Sequence, residues 1–254
     1  MNAVLVIAAN TAREVIRQRL FGNTLLFGVL MVLLSVVVSN ITFGRVERVV
    51  RSIGLGGVAL ASGLLALLVG VTLIHREIER RTLFVVLTRP VSRAQYVLGR
   101  YLGFLVTLAA VTLSFALVFF LCLGSVGAAP TVQDAHALTL SFVQASVLAA
   151  FAVVLSSFST PTVAAGTGLG FWIACASTDD LVNLTAQAEE PVRSFAVGLA
   201  YILPSFARFN LADAAVHDDP VSWLHLAWTT GYGALYVVLF VALAGVVQAR
   251  REMT

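Results

Sequence analysis

Ala135 to Thr178, AHALTLSFVQASVLAAFAVVLSSFSTPTVAAGTGLGFWIACAST, runs for 44 residues without a formal charge. A helix needs about 20 apolar residues to cross the hydrocarbon layer of a bilayer. The stretch is therefore too long for one crossing and fits two joined by a tight turn. The polar run Ser156, Ser157, Phe158, Ser159, Thr160, Pro161 supplies that turn, because proline ends or starts helices and short hydroxyl side chains cap them. Two spans follow, near 138–155 and 162–177.

The same reading of uncharged stretches extends in both directions. Arg19 and Arg45 bracket a first span near 24–42, and Arg51 and Arg76 a second near 53–74. A third follows from about 97 to 123, and a last fills 221–248 before Arg250 and Arg251. Between Arg193 and Arg208 lie only 14 uncharged residues, SFAVGLAYILPSFA, interrupted by Pro204. That piece is too short to span and reads as re-entrant or interfacial, on the outer side.

Composition agrees with a membrane fold. The 254 residues are 59% hydrophobic and 11% charged, with a mean hydropathy of +0.94, far from soluble domains. The fold class is an all-α membrane protein of six transmembrane helices, forming a single domain over 1–254. Six spans put both termini on one side. With that side inside, eleven arginines are cytoplasmic and five outside, and arginine bias sets orientation. Arg45, Arg48 and Arg51 fall outside, against that bias. The net charge of +3 thus follows membrane sidedness, not a nucleic-acid partner.

All sixteen basic residues are arginine, which excludes Schiff-base chemistry and a phosphate-loop lysine on this chain. Any ATP is hydrolysed elsewhere. Cys122 and Cys175 sit in apolar runs and read as small apolar residues. At the N-terminus Val4, Leu5, Ala8, Ala12, Val15, Ile16 and Leu20 recur at helical spacing, with Asn10, Arg13, Glu14 and Arg17 opposite. Arg13, Arg17 and Arg19 then mark a helix lying in the membrane interface. No positively charged region precedes its apolar part, so it is expected to stay on the mature chain.

Between the second and third spans lies His75 to Arg100, HREIERRTLFVVLTRPVSRAQYVLGR, with six of the sixteen arginines. Arg76, Glu77, Glu79, Arg80 and Arg81 form a charged half-helix, and Leu83 to Leu87 an apolar one that ends at Arg89 and Pro90. Proline forbids a smooth continuation. Ser92 followed by Gln95 has capping-box spacing, so a new helix starts there. Arginines alone would hold the loop inside and touch anionic lipid. Interleaved acids and an apolar run beyond the membrane edge fit a groove on a soluble protein better.

This string resembles the region after the second span in permeases of ABC-2 type transporters. The matching residues are Arg76, Glu77, Glu79, Thr82, Leu83, Pro90, Ser92, Arg93, Gly99 and Arg100. Arg81 stands at a usual glycine position, and Arg100 at a usual lysine. The resemblance implies a half-transporter: two permease chains, as a homodimer or related heterodimer, above two separate ATPase chains. ATP and magnesium would reside on the ATPase, and this chain would bind no cofactor. Glu77, Glu79, Arg80 and Arg81 would make the charged contacts to the ATPase, with Leu83, Phe84 and Leu87 fixing the short helix. Arg89 and Arg93 are second-rank contacts. The implied location is a bacterial inner membrane with both termini cytoplasmic.

Other constellations are weaker. His217, Asp218, Asp219 and His225 gather metal-ligand types without regular spacing and read as a solvated loop. Asp179, Asp180, Glu189 and Glu190 form an acidic outer surface, open to an outer-side accessory protein. Ser35, Thr107, Thr112, Ser114, Ser141, Gln144 and Ser146 line a pathway or bond between helices. Glycines such as Gly99 and Gly103, or Gly166 and Gly170, allow close helix packing. No hydrolase or zinc-protease motif occurs. The expected function is the permease subunit of an ATP-driven exporter. The alternative is a mechanical module that acts on an outer partner without moving substrate.

Overall fold

The computed structural model describes residues 3–41, 45–73, 92–185, 190–217 and 219–250. These form α1 (Ala3–Ile16), α2 (Arg19–Ile41), α3 (Val46–Gly70), α4 (Arg93–Ser125) and α5 (Val132–Ser156). They continue with α6 (Pro161–Ala176), α7 (Thr178–Leu184), α8 (Glu190–Ile202), a 3-10 turn (Phe206–Phe209), α9 (Ala212–His217) and α10 (Trp223–Arg250). No strand occurs among the described residues.

Among the described residues five helices are long and apolar enough to cross a membrane: Arg19–Ser39, Val46–Gly70, Gln95–Ser125, Val132–Ser156 and Trp223–Gln248. A sixth arises if α8 and the Phe206–His217 piece, bent by 47° at their break, count as one span. Pro204 lies in that break. The stretch expected as the fifth span is α6, only 16 residues long. At 1.5 Å per residue it covers about 24 Å, short of the roughly 30 Å of hydrocarbon. Its bounds agree with the expected 162–177 to within one residue, so the stretch itself is short for a crossing.

α3 and α5 form the centre. Within their apolar windows 67% and 78% of residues are buried, against 22% for α2 and 17% for α10. A helix that is apolar all round suits such an interior position. Leu33, Leu34 and Val37 of α2 and Leu235, Val238 and Leu239 of α10 face outward, as lipid-covered surfaces do.

Small residues set the helix separations. A Cβ on Gly63 of α3 would lie 2.5 Å from ring carbons of Trp172 on α6, and one on Gly70 2.7 Å from Ala152 of α5. Gly166 and Gly170 differ from this pattern, since nothing lies within 4 Å of a Cβ at either. Of the two expectations for the span hydroxyls, bonding between helices is not met. Ser35, Thr107, Thr112, Ser114, Ser141 and Ser146 each donate to a carbonyl three or four residues earlier in their own helix. Such back-bonding satisfies the hydroxyl locally, so none of the six donates across a helix interface.

Two further differences have physical causes. α3 starts at Val46, earlier than the span expected from 53, and takes Arg51 inside it. Arg51 is buried because Glu47 and Asp134 neutralise it. At the α5–α6 turn, Pro161 opens α6, but Thr160 makes no side-chain cap. Ser156 and Ser157 donate backward to Val153 instead.

Seven aromatic rings close the region where α5, α6, the 3-10 turn and α10 meet. Phe151, Phe171, Phe206, Phe209, Tyr232, Tyr236 and Phe240 contact in sequence, the last returning to the first, with centroids 3.7 to 6.3 Å apart. Offset and edge-to-face aromatic pairs each add about 0.5–1.5 kcal/mol beyond area burial. The ring holds the break after α8 in place. Ser205 at that break donates to Asp179 of α7 at 3.1 Å and receives no help from Pro204, which lacks an N–H.

Candidate coupling site and its frame

The segment expected to dock an ATPase falls largely outside the described residues. Glu77, Glu79, Arg80, Arg81, Leu83, Phe84, Leu87 and Arg89 all lie there, and for Arg93 only the helical backbone is described. What is described is the structure on which the segment ends.

α4 restarts as its sequence requires. Ser92 is the N-cap, its hydroxyl accepting from the Gln95 N–H at 3.2 Å, while the Ser92 N–H donates to Gln95 Oε1 at 3.1 Å. This reciprocal pair satisfies two of the N–H groups that a helix start leaves open. The restart after Pro90 is thereby fixed to one residue.

Two turns later α1 lies against α4. A Cβ on Gly99 would sit 2.9 Å from Ile7 side-chain atoms and 3.0 Å from the Val4 carbonyl. One on Gly103 would meet the Ala8 carbonyl and lie 2.7 Å from Thr11 Cβ. The two glycines thus form a groove that admits the α1 backbone. Val15 and Thr11 are buried in this packing, whereas Leu5 and Ile16 are exposed. Helical periodicity identifies α1 as two-sided, but one apolar strip meets α4 and another faces away.

Arg100 fixes the register. Its Nη1 donates to Glu14 Oε2 at 2.6 Å and to Thr11 Oγ1 at 3.4 Å, and its Nε to Tyr96 OH at 3.2 Å. Its guanidinium carbon also lies 5.8 Å from the Tyr96 ring centroid. The Arg100 side chain is 3% exposed and that of Glu14 41%. A guanidinium so enclosed requires its carboxylate, because an unpaired buried charge is costly. Next along α4, Tyr101 OH donates to the Ser146 carbonyl at 3.1 Å, joining α4 to central α5. Movement of the α4 start therefore carries α1 and bears on α5.

Arg13, Arg17 and Arg19, expected as markers of an interfacial helix, are exposed and make no part of this lock. Glu14, Thr11 and Tyr96 are the functional candidates that sequence reading missed. A signal existed: Glu14 is the sole acid before Glu47, and Gly99 and Gly103 share one face of α4.

At the opposite end of the bundle a second arginine is enclosed. Arg51 Nε lies 3.2 Å from Asp134 Oδ1, Nη2 donates to the Ala129 carbonyl at 2.9 Å, and Nη1 bonds Glu47. Asp134 also completes a capping box with Thr131 at the start of α5. The pair ties α3 to the α4–α5 connection.

The remaining polar groups stay apart. Among the described residues no group of three or more His, Cys, Asp or Glu side chains is placed to hold a metal. His217 Nδ1 lies 3.0 Å from the Asp213 carbonyl, and Asp218 is outside the described residues. Glu190 is exposed beside Arg193 and Ser194, Asp180 is exposed, and Glu189 is not described. Cys122 and Cys175 are both buried and unpaired.

Comparison with curated proteins gives no match. The family described as ABC-2 family transporter protein matches residues 5–246. That match takes in α1 and its groove on α4, the central pair α3 and α5, and nearly all of α10. This chain belongs to the ABC-2 transporter family as a multi-pass membrane subunit of an ABC permease.

Proposed function

We propose that the chain is the membrane half of an ATP-driven exporter, coupled through 75–100 to a separate ATPase. Two permease copies, or two related chains, sit above two ATPase chains that carry ATP and magnesium. Glu77, Glu79, Arg80 and Arg81 supply the charged contacts, and Leu83, Phe84 and Leu87 seat the short helix. The termini and this segment face the cytoplasm of a bacterium, and α1 rests in the membrane interface. Exposed Arg13, Arg17 and Arg19 support that placement, since cationic side chains favour the cytoplasmic leaflet.

One observation carries the reading: the Arg100 lock binds α1 and α4 together at the very end of the docking segment. A force delivered at the segment would move a braced pair of helices instead of bending a single loop. Rigid-body motion of packed elements is a common route for such transitions. The test is co-purification of an ATPase and its stimulation by the permease, with Glu79→Arg and Arg80→Glu combined. Loss of both signals is expected. Undiminished binding and stimulation would sink the coupling assignment.

A mechanical role without transport is the second reading. It is favoured by the packed interior, where α3 and α5 are mostly buried and the span hydroxyls bond their own backbones. ATPase stimulation that needs an outer partner, and no solute, would decide for it.

A further inference from the structure

At the end of the bundle that holds Arg51, helices α2, α3 and α9 leave an open cleft of about 450 Å³. Its walls are Val38, Arg48, Val49, Ser52, Ile53 and Val216. The volume falls in the range of about 300–1,000 Å³ typical of small-molecule sites. Its chemistry has two parts: four aliphatic side chains, and one guanidinium beside one hydroxyl.

The charge balance around the cleft is uneven. Glu47, the acid next to Arg48 in the chain, is bonded to Arg51, and Asp134 is held by the same arginine. Among the described residues no carboxylate lies within ion-pair distance of Arg48. Arg48 is half-buried at the boundary of a 25-residue apolar helix. A cation in that position, with low-dielectric walls on one side, favours an anionic partner over none.

The walls decide which anion. A small soluble anion gains from Arg48 but nothing from Val38, Val49, Ile53 and Val216. Burying aliphatic surface is favourable, so an occupant with a hydrocarbon tail uses both parts. Val37, next to the cleft residue Val38, is exposed with Leu33 and Leu34 on α2, so the helix that forms one wall of the cleft also carries an outward apolar face. We propose that this cleft binds one anionic phospholipid, its phosphate on Arg48 and Ser52 and one acyl chain along Val38, Val49, Ile53 and Val216. Arginine suits the phosphate because its planar fork donates in pairs.

The experiment is native mass spectrometry of the purified full chain offered phosphatidylglycerol and phosphatidylcholine in equal amounts. The wild type is expected to retain one phosphatidylglycerol in preference to phosphatidylcholine. Arg48→Gln should lower that retention about tenfold, the scale of one charge-assisted contact, and Arg48→Lys should restore most of it. Val216→Trp, which fills the cleft from α9 and leaves the charge in place, should also reduce retention. Equal retention by Arg48→Gln and wild type would overturn the site. Full retention by Val216→Trp would also overturn it, as would displacement of the lipid by millimolar inorganic phosphate alone, since either would mean that charge without the apolar walls suffices.

Discussion

Arg51 and Asp134 meet inside the protein, Nε to Oδ1 at 3.2 Å, with side chains 2% and 0% exposed. They join the first turns of α3 to the first turn of α5. Removing one partner leaves the other charged and enclosed, which costs about 3–5 kcal/mol in buried pairs. Asp134→Ala and Arg51→Met should each lower the melting temperature of the purified protein markedly. The double variant Arg51→Met with Asp134→Leu should be less damaged than either single one. A double variant that loses as much as the two singles combined would show that the pair is not coupled.

The lock at the other end yields a protease test. Arg13 and Arg17 are exposed, but the helix that carries them is pinned by Glu14 to Arg100. Glu14→Ala should release α1 and raise the rate of trypsin cleavage at these arginines. The stability loss should be about 1–3 kcal/mol, less than for the Arg51 pair, because the enclosed Arg100 keeps its bonds to Thr11 and Tyr96. Unchanged cleavage would mean that the glycine groove alone holds α1.

That groove can be probed by size. Gly103→Ala places a methyl group against the Ala8 carbonyl and Thr11, and overpacking of this kind costs about 1–3 kcal/mol. Gly166→Ala and Gly170→Ala meet open space and should leave the melting temperature unchanged or slightly higher, since alanine favours helix by about 1 kcal/mol over glycine. Equal effects at all three positions would contradict the packing described.

His136 offers a stabilising change. It is 3% exposed and its ring meets Trp223 edge-on at 4.5 Å, and among the described residues neither nitrogen has a hydrogen-bond partner. Buried polar atoms without partners cost about 1–3 kcal/mol each. His136→Phe keeps the aromatic contact and removes those atoms, so its melting temperature should rise. A fall would point to a polar partner gained in the membrane.

Parts of this fold can be read along the chain and parts cannot. Span positions follow from apolar length and flanking charge, and the α4 start from Ser92 and Gln95, because both are local properties. The Arg100–Glu14 bond joins residues 86 apart, and neither residue advertises the other. The same holds for Arg51, whose position among the arginines expected outside hides a buried role. The bounds of α6 are local too, since Pro161 opens it and Asp179 follows soon after its end. The docking residues around Glu79 were read from motif resemblance, and their geometry lies outside the described residues.

The docking of α1 into the Gly99–Gly103 groove also makes that helix a built-in pointer. Whatever angle α4 takes, the outward face of α1 turns with it. Leu5 is 63% exposed on that face, while both native thiols are buried. A reporter dye on a cysteine introduced at position 5 would read the motion of α4 from outside, with the proposed docking segment left untouched.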